Sequence, residues 1–240
     1  MEQLRLAQRH KNTLQGFIQG LKDIYGEDLI SIILYGSAAS GEFVEKRSRL
    51  DLLVVLKNTD LEVLKKSSKL IRAFKLSNTL FVTEEYIAGS TDIFPIEFLD
   101  MRENHAVLYG KDVLKDIQVD TRNLRFQCEQ ELKAKLVTLR QAYLLLNGNA
   151  PALRDVLFAS FGSIVHIARN VLRIRGKKPA YPKREALKEL AAEFAIDLRI
   201  WERILSAKNK EVSLSGREIE PLFTGFVRGL ESLVTIVDRL

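Results

Sequence analysis

Cysteine is nearly absent from this sequence of 240 residues, and the single one, Cys128, has no partner for an internal disulfide bond. Proteins of a reducing compartment commonly show this scarcity. No apolar run approaches the roughly 18 residues that a membrane span requires, and the first residues lack the apolar segment of a secretory signal. These absences argue against a secreted, disulfide-stabilised domain and against a membrane protein, and we expect a soluble protein of the cytoplasm.

Proline and glycine are also sparse, with 5 and 13 residues, whereas apolar residues make up 46% of the chain and charged residues 28%. This is the composition of a folded globular protein rather than a disordered or fibrous one. Histidine occurs only three times, at His10, His105 and His166, and these residues are scattered relative to one another and to Cys128. Structural zinc sites need ligands at short spacing, so we predict no zinc site.

Charge is unevenly distributed between the two halves of the chain. Residues 1–120 carry 16 basic and 18 acidic side chains, whereas residues 121–240 carry 21 basic and 13 acidic ones. A basic half attracts polyanions, so nucleotides and nucleic acid are candidate ligands. The densest basic stretch, residues 169–184, also suits a helix end followed by a solvated loop, because cations are favourable at a helix C-terminus. We prefer that structural interpretation and keep nucleic-acid binding as an alternative.

Apolar residues recur at intervals of three and four along the second half, which is the periodicity of helices. We predict helices over residues 122–146, 153–172, 186–194 and 198–205, and a last helix that ends near residue 237. The start of the last helix is left open, because Ser215 and Glu218 suggest a capping box whereas Pro221 favours a later beginning. Helices with short connections pack as bundles, so residues 121–240 are predicted to form an all-α helical bundle.

The first half, residues 1–120, mixes strands and helices. The apolar, β-branched runs Leu29–Tyr35 and Leu50–Leu56 are too short for helices and indicate buried strands. Phe94–Leu99 is predicted as a third strand, at an edge because of its proline. Helices are predicted over about residues 3–25, over 61–74 and after Thr83. We therefore predict an α+β domain with a mixed sheet and flanking helices, and a domain boundary near residue 120.

Residues at the ends of these strands carry chemical information. The first strand runs into Gly36-Ser37, where glycine permits a tight turn and the hydroxyl and following amides suit a phosphate. Asp51 lies within the second apolar strand and Glu97 within the third, where an unpaired carboxylate is costly to bury. A metal ion or a cationic side chain would supply the missing partner. Two strand carboxylates beside a Gly-Ser turn are typical of a site that binds a nucleoside triphosphate with a divalent metal.

This constellation resembles the nucleotidyltransferases of the DNA polymerase β-like superfamily. The pattern of that superfamily is an apolar residue, Gly, Gly or Ser, a spacer, and then two acidic residues that alternate with apolar ones. Here Tyr35-Gly36-Ser37 is followed, after eleven residues, by Arg49-Leu50-Asp51-Leu52. The resemblance covers roughly residues 30–100 by motif, and the helical half is similar to the C-terminal bundle of kanamycin-nucleotidyltransferase-like proteins.

The resemblance implies a ligand, a cofactor and roles for four residues. The ligand is a nucleoside triphosphate (NTP), held by Gly36 and Ser37. The cofactor is Mg²⁺, with Asp51 and Glu97 as metal ligands and catalytic residues. Superfamily members transfer a nucleotidyl group to a hydroxyl, and they often dimerise, so an acceptor and a homodimer are also implied.

One position departs from the pattern, because Arg49 stands where the first metal-binding carboxylate belongs. At about 4 Å two like unit charges repel by about 4 kcal/mol at an effective dielectric near 20, and a divalent ion doubles that figure. We therefore predict a nucleotide-binding pseudoenzyme whose nucleotidyl transfer is lost or strongly reduced. In it, Arg49 pairs with Asp51 or binds a phosphate directly through its fork of donors.

Two alternatives stay open. An active Mg²⁺-dependent enzyme would move a nucleoside monophosphate from the NTP to a hydroxyl acceptor, using a metal site rearranged around Asp51, Glu97 and either Asp92 or Asp100. A non-catalytic, antitoxin-like protein would instead bind a partner protein, since domains of this kind often accompany helical ribonucleases in toxin–antitoxin pairs.

Overall fold

The computed structural model describes residues 4–41, 43, 45, 49–76 and 78–240. The chain divides into two units, Met1–Val119 and Asp120–Leu240. The helices of the first unit are α1 (Gln8–Tyr25), α2 (Ser37–Ser40), α3 (Leu61–Lys65), α4 (Ser68–Phe74), α5 (Glu84–Ala88) and α6 (Pro95–Glu103). Its strands are β1 (Leu29–Tyr35), β2 (Asp51–Leu56), β3 (Thr79–Val82) and β4 (His105–Gly110), and a short 3₁₀ helix precedes β1.

The four strands form one mixed sheet in the order β3-β2-β1-β4. β1 pairs antiparallel with both β2 and β4, and β2 pairs parallel with β3 through the crossover that α3 and α4 provide. These directions bring the end of β1 and the starts of β2, β3 and β4 to the same end of the sheet. We call this the strand-end site, and its residues come from four separate stretches of sequence.

The sheet is buried on both faces, which explains why β1 and β2 are continuous apolar runs. Side chains on one face, such as Leu34 and Val54, pack against α1 and the region of α4. Side chains on the other face, such as Ile33 and Leu53, pack against residues of α5 and α6 and against Leu114. Alternation along each strand therefore divides the first unit into two apolar layers.

Most of the predicted elements of the first unit are found, with changes at their ends. β1 has the predicted bounds, and β2 begins one residue later, at Asp51. α1 is described from Gln8, and the predicted start near Gln3 lies outside the described residues. The helix predicted over 61–74 is two helices, α3 and α4, which are separated at Ser67. The buried Ser67 hydroxyl donates to the Leu64 carbonyl at 3.0 Å and accepts from the Tyr25 hydroxyl.

The predicted third strand is wrong, because Phe94 is the N-cap of helix α6 and residues 95–99 form the first part of that helix. Pro95 occupies the first turn of this helix, where its missing amide costs no hydrogen bond and its fixed φ suits the helix. Ile96 and Leu99 are buried at helical spacing, whereas Glu97 between them is exposed. The sheet is completed instead by β3 and β4, which are short and only partly buried and so lack an alternating pattern.

The second unit is the predicted all-α bundle. Its helices are α7 (Thr121–Leu146), α8 (Ala150–Ile174), α9 (Lys183–Phe194), α10 (Arg199–Lys208) and α11 (Gly216–Asp238). The last helix begins at the capping box, with Ser215 and Glu218 in reciprocal contact, and Pro221 lies within its second turn. The fully buried Trp201 packs against Phe226 with ring centroids 4.8 Å apart, at the centre of the apolar core.

Helix α8 is long and apolar enough to cross a membrane by length and composition, which contradicts the expectation that no such stretch exists. Its apolar residues are nevertheless used in packing. Leu153, Leu157, Phe161, Ile164 and Leu172 are fully buried, and α8 contacts α7, α9, α10 and α11. The apolar composition of α8 is that of the central helix of a bundle.

The basic stretch at residues 169–184 is partly neutralised within the second unit. Arg175 and Lys177 both pair with Glu193, and Arg184 pairs with Glu211 at 2.6 Å. Arg169 is buried, with its guanidinium 4.8 Å from the centre of the Tyr181 ring. These contacts account for much of the stretch as helix ends and ion pairs, in line with the structural interpretation.

Candidate functional site

The turn at Gly36 connects β1 to α2 at the strand-end site. Gly36 has φ 69° and ψ −144°, a conformation that favours glycine. Its amide donates to the Asn104 carbonyl at 3.0 Å, and its own carbonyl accepts from the amides of Ala39 and Ser40. A Cβ atom at this position would lie 3.4 Å from Oδ2 of Asp51. Glycine therefore both permits the turn and leaves room for the carboxylate beside it.

Asp51 is the carboxylate of the strand-end site. It is the first residue of β2 and lies opposite Tyr35, the last residue of β1. Burial raises the pKa of Asp51 above its ordinary value of 3.8, while a hydrogen bond from Asn78 and the charge of Arg49 act in the opposite direction. Burial and the neighbouring Asp51 charge raise the pKa of Tyr35 to about 12. The site thus holds a half-buried negative charge at a cost in desolvation.

Asn78 links Arg49 to Asp51. Its side-chain Nδ2 donates to Oδ1 of Asp51 at 2.8 Å, and its Oδ1 accepts from Nη1 of Arg49 at 3.2 Å. Within the part of the chain that the structure describes, Arg49 and Asp51 form no direct ion pair, so the predicted direct pairing is wrong. The side-chain amide of Asn78 lies between them and forms one hydrogen bond with the guanidinium and one with the carboxylate. We call this chain of contacts the Arg49–Asn78–Asp51 relay.

Sequence reasoning missed Asn78, although it belongs to the site. It directly precedes β3, whose parallel pairing with β2 brings Thr79 level with Leu52 and so brings Asn78 beside Asp51. A polar residue just before a short apolar run was the available signal. That signal becomes informative only once the strand order is known.

His105 is also at the strand-end site, opposite Tyr35 in the pairing of β1 with β4. Its Nδ1 lies 3.0 Å from the Arg102 carbonyl, and its Nε2 lies 3.1 Å from both carboxylate oxygens of Asp112. The Asp112 carboxylate in turn accepts a hydrogen bond from the amide of Leu114. These contacts hold the start of β4 in place and give His105 a structural role.

Glu97 is not placed as predicted. It lies on the exposed side of α6 rather than on a strand of the sheet, so the strand register that positions Asp51 does not extend to it. The assignment of Glu97 as a metal ligand and catalytic residue stays a prediction, but the strand on which that assignment was based is not present at this position. Asp92, one of the alternative ligands, is exposed, and Asp100 lies on α6.

Within its described residues, the strand-end site has fewer carboxylates than a two-metal Mg²⁺ site requires. Magnesium in phosphoryl-transfer sites is held by one or two carboxylates together with phosphate oxygens, and two-metal sites need acidic ligands for both ions. No group of three or more His, Cys, Asp or Glu residues suited to a metal occurs among the described residues. Asp51 is linked to a guanidinium where a second carboxylate would be needed. The described residues therefore do not fit a two-metal site.

Replacing Asp51 with asparagine is expected to leave the protein at least as stable as the wild type at neutral pH. Burial raises the pKa of Asp51 in the folded state, so the protonated carboxyl group stabilises the fold. This stabilisation is fully present below the ordinary pKa of 3.8 and is lost as the pH rises through the folded-state pKa. Asparagine has no charge to desolvate and keeps an oxygen for Asn78. Thermal melting near pH 7 and near pH 4 measures the effect.

The control for this prediction is Asp28→Asn, at the opposite end of β1, where the side chain is exposed. Its melting temperature relative to the wild type should change little between the two pH values. A variant of Asp51 that melts below the wild type at neutral pH would contradict the inferred cost of the buried charge.

Comparisons with known proteins agree on the fold. Residues 14–126 match the model of the nucleotidyltransferase domain family. A protein of Methanocaldococcus jannaschii, whose name describes it as a presumed protein adenylyltransferase, is 55% identical over 47 residues. That match covers 20% of this chain and 31% of the relative, so the chain spans about a third of the curated protein.

Among solved structures, the spectinomycin adenyltransferase AAD(9) of Enterococcus faecalis, crystallised with ATP and spectinomycin, is similar with a TM-score of 0.56. The match covers 92% of this chain and 99% of that protein, at 13% sequence identity. At this identity the similarity establishes the fold alone. The fold is an α+β nucleotidyltransferase domain followed by a helical region.

Proposed function

We propose that the first unit, which contains nearly all of the match to the nucleotidyltransferase domain family, binds a nucleoside triphosphate with Arg49 as the resident cation and with strongly reduced nucleotidyl transfer. The Gly36-Ser37 turn would receive the phosphates through the amide and the hydroxyl of Ser37, because the Gly36 amide already donates to the Asn104 carbonyl. Arg49 would supply positive charge where other members of the superfamily use a metal ion. This proposal is carried by one observation, the Arg49–Asn78–Asp51 relay.

The relay supports a phosphate-binding role for Arg49 because, within the described part of the chain, Asn78 is the one residue that hydrogen-bonds to the guanidinium. Arginine has five N–H donors in a planar fork that matches phosphate oxygens. Asn78 accepts from Nη1 at 3.2 Å, and the Arg49 side chain is exposed. The remaining donors are available to a ligand without loss of the contact with Asn78. A permanent charge so placed also opposes a divalent ion held by Asp51.

The proposal is tested by calorimetric titration of ATP into the full chain in EDTA and in excess Mg²⁺. The expected dissociation constants agree within about twofold, because the positive charge that the phosphates require is already part of the protein. An affinity that requires Mg²⁺ would overturn the proposal and would indicate a working metal site. GTP, titrated in the same way, tests whether the base matters.

Asp51→Asn should strengthen binding of ATP in EDTA. Without a metal, the Asp51 carboxylate repels the phosphates, so its neutralisation is expected to lower the dissociation constant several-fold, by on the order of 1 kcal/mol. A metal-dependent enzyme would respond in the opposite direction, since it would lose its ligand. Asp28→Asn removes the same charge at the far end of β1 and should leave the affinity unchanged.

A second candidate is active adenylyl transfer to a hydroxyl. Its support is the similarity to the presumed protein adenylyltransferase and to the spectinomycin adenyltransferase. Incubation with α-labelled ATP and Mg²⁺, followed by a search for label in the protein itself and in added hydroxyl acceptors, tests this candidate. Transfer that is lost in Asp51→Asn would favour the active enzyme over the pseudoenzyme.

A further inference from the structure

A cleft of about 420 Å³ lies in the first unit, next to the relay. Its wall is formed by α1, by the end of α4 and by the segments that lead into β2 and β3. The lining residues are His10, Thr13, Phe43, Arg49, Leu50, Phe74, Lys75, Leu76 and Asn78. We call it the α1 cleft. It has two residues in common with the relay, Arg49 and Asn78.

The described residues that line the α1 cleft include two cations, Arg49 and Lys75, and none of these described lining residues is acidic. Glu45, which pairs with Arg9, lies 3.8 Å from the lining residue His10. The single contact described for the Arg49 guanidinium is with the neutral amide of Asn78. Lys75 forms no ion pair and no side-chain hydrogen bond in the described part of the chain. Two cations that line one cavity favour an anion there.

Lys75 is held at the rim of the cleft by its backbone. It ends α4 in the left-handed conformation, with φ 55°, which costs a lysine more than it would cost glycine. Its amide donates back to the carbonyl of Arg72 at 3.3 Å. The side chain is exposed and lines the cavity, so a charge is present at a position where the backbone alone would favour glycine.

The size and the apolar wall of the cleft narrow the class of ligand. A volume of about 420 Å³ exceeds what an inorganic anion fills and lies within the range of small-molecule sites. Phe43 and Phe74 both line the cleft. Aromatic rings of this kind stack with the flat faces of nucleobases. Leu50 and Leu76 add an apolar floor.

We propose that the α1 cleft binds a nucleoside monophosphate, with its phosphate between Arg49 and Lys75 and its base against Phe43 and Phe74. This site is additional to the NTP site proposed at Gly36-Ser37. It shares Arg49 with that proposed site but also depends on Lys75 and Phe43, which lie outside the strand-end site, so variants of those two residues test it separately from the proposed function.

The probe is AMP, titrated calorimetrically into the full chain and into Lys75→Ala. The expected result is saturable binding to the wild type and an affinity lower by about tenfold or more in the variant, since a charged phosphate contact is lost. Lys69→Ala removes the same charge from the exposed side of α4 and should bind AMP as the wild type does. Equal affinities in Lys75→Ala and the wild type, or no binding of AMP to the wild type at millimolar concentration, would overturn the proposal.

Inorganic phosphate and Phe43→Leu separate the two parts of the proposed ligand. Loss of the aromatic ring should weaken binding of AMP and leave any binding of inorganic phosphate unchanged. If both probes bind with the same affinity and Phe43→Leu affects neither, the cleft is a simple anion site and the proposed nucleoside contact is wrong. Ser37→Ala should weaken ATP but not AMP, so failure of the NTP site and failure of the α1 cleft give different results.

Discussion

Arg49→Asp is expected to make ATP binding depend on Mg²⁺, raising the affinity by at least about tenfold when the metal is added, whereas the wild type should respond by less than about twofold. The substitution places a second carboxylate two residues before Asp51, where the superfamily pattern has its first acidic residue. Two carboxylates and the phosphates of the nucleotide are the ligand set that Mg²⁺ prefers.

The size of the expected effect follows from the reversal of charge. A unit charge about 4 Å from a divalent ion contributes roughly 8 kcal/mol at an effective dielectric near 20. Arg49 is exposed, so solvent and salt screen most of this energy. A tenfold change corresponds to about 1.4 kcal/mol and is a small fraction of the unscreened figure. Loss of the contact from Arg49 to Asn78 costs little, because the amide of Asn78 can reorient towards water.

Arg49→Gln is the matched control for this experiment. It removes the positive charge and keeps a long polar side chain, but it supplies no anionic ligand. If ATP binding depends on Mg²⁺ to the same extent in Arg49→Gln and Arg49→Asp, repulsion by the guanidinium explains why the wild type does not respond to Mg²⁺. The missing carboxylate would then not be the cause. If neither variant gains any, Arg49 is not what disables the metal site.

The elements with strong local patterns were predictable from sequence. β1 has seven consecutive residues that are apolar or β-branched apart from Ser31, and helices α7 and α8 have apolar residues at regular helical spacing. The proximity of the Gly36-Ser37 turn to Asp51 could be predicted because the motif lies on two neighbouring strands. In these cases the local signal and the tertiary environment agree.

The parts that sequence reasoning missed depend on strand order or on a single residue. β3 and β4 are short and partly exposed, so the hydrogen bonds of the sheet, rather than a hydrophobic pattern, determine their conformation. Asn78 joins the site only because β3 lies parallel to β2. Glu97 was misplaced because an apolar run around a proline suits a strand edge and a first helical turn equally well.

Gly110→Ala is expected to destabilise the first unit by at least about 3 kcal/mol, one of the largest effects of any single substitution in it. Gly110 ends β4 with φ 74°. A Cβ atom there would lie 2.0 Å from the carbonyl oxygen of Ile30 and 2.9 Å from its carbonyl carbon. Both atoms belong to the backbone of β1, a central strand of the sheet, so no side chain can move aside. The pairing of Gly110 with Ser31 must open instead.

Gly41→Ala is the control that separates this clash from backbone strain. Gly41 is in the same unit with φ 84°, and among the described residues a Cβ atom there would meet only Cδ of Arg5, at an ordinary 3.6 Å. Both substitutions carry the cost of a left-handed alanine, about 1–2 kcal/mol, and only Gly110→Ala adds the clash with β1. Urea unfolding followed by far-UV circular dichroism measures the difference, while the fluorescence of Trp201 reports the second unit separately. Equal losses in the two variants would mean that β4 can shift away from Ile30, and that the start of β4 at His105 is less firmly held than its contacts indicate.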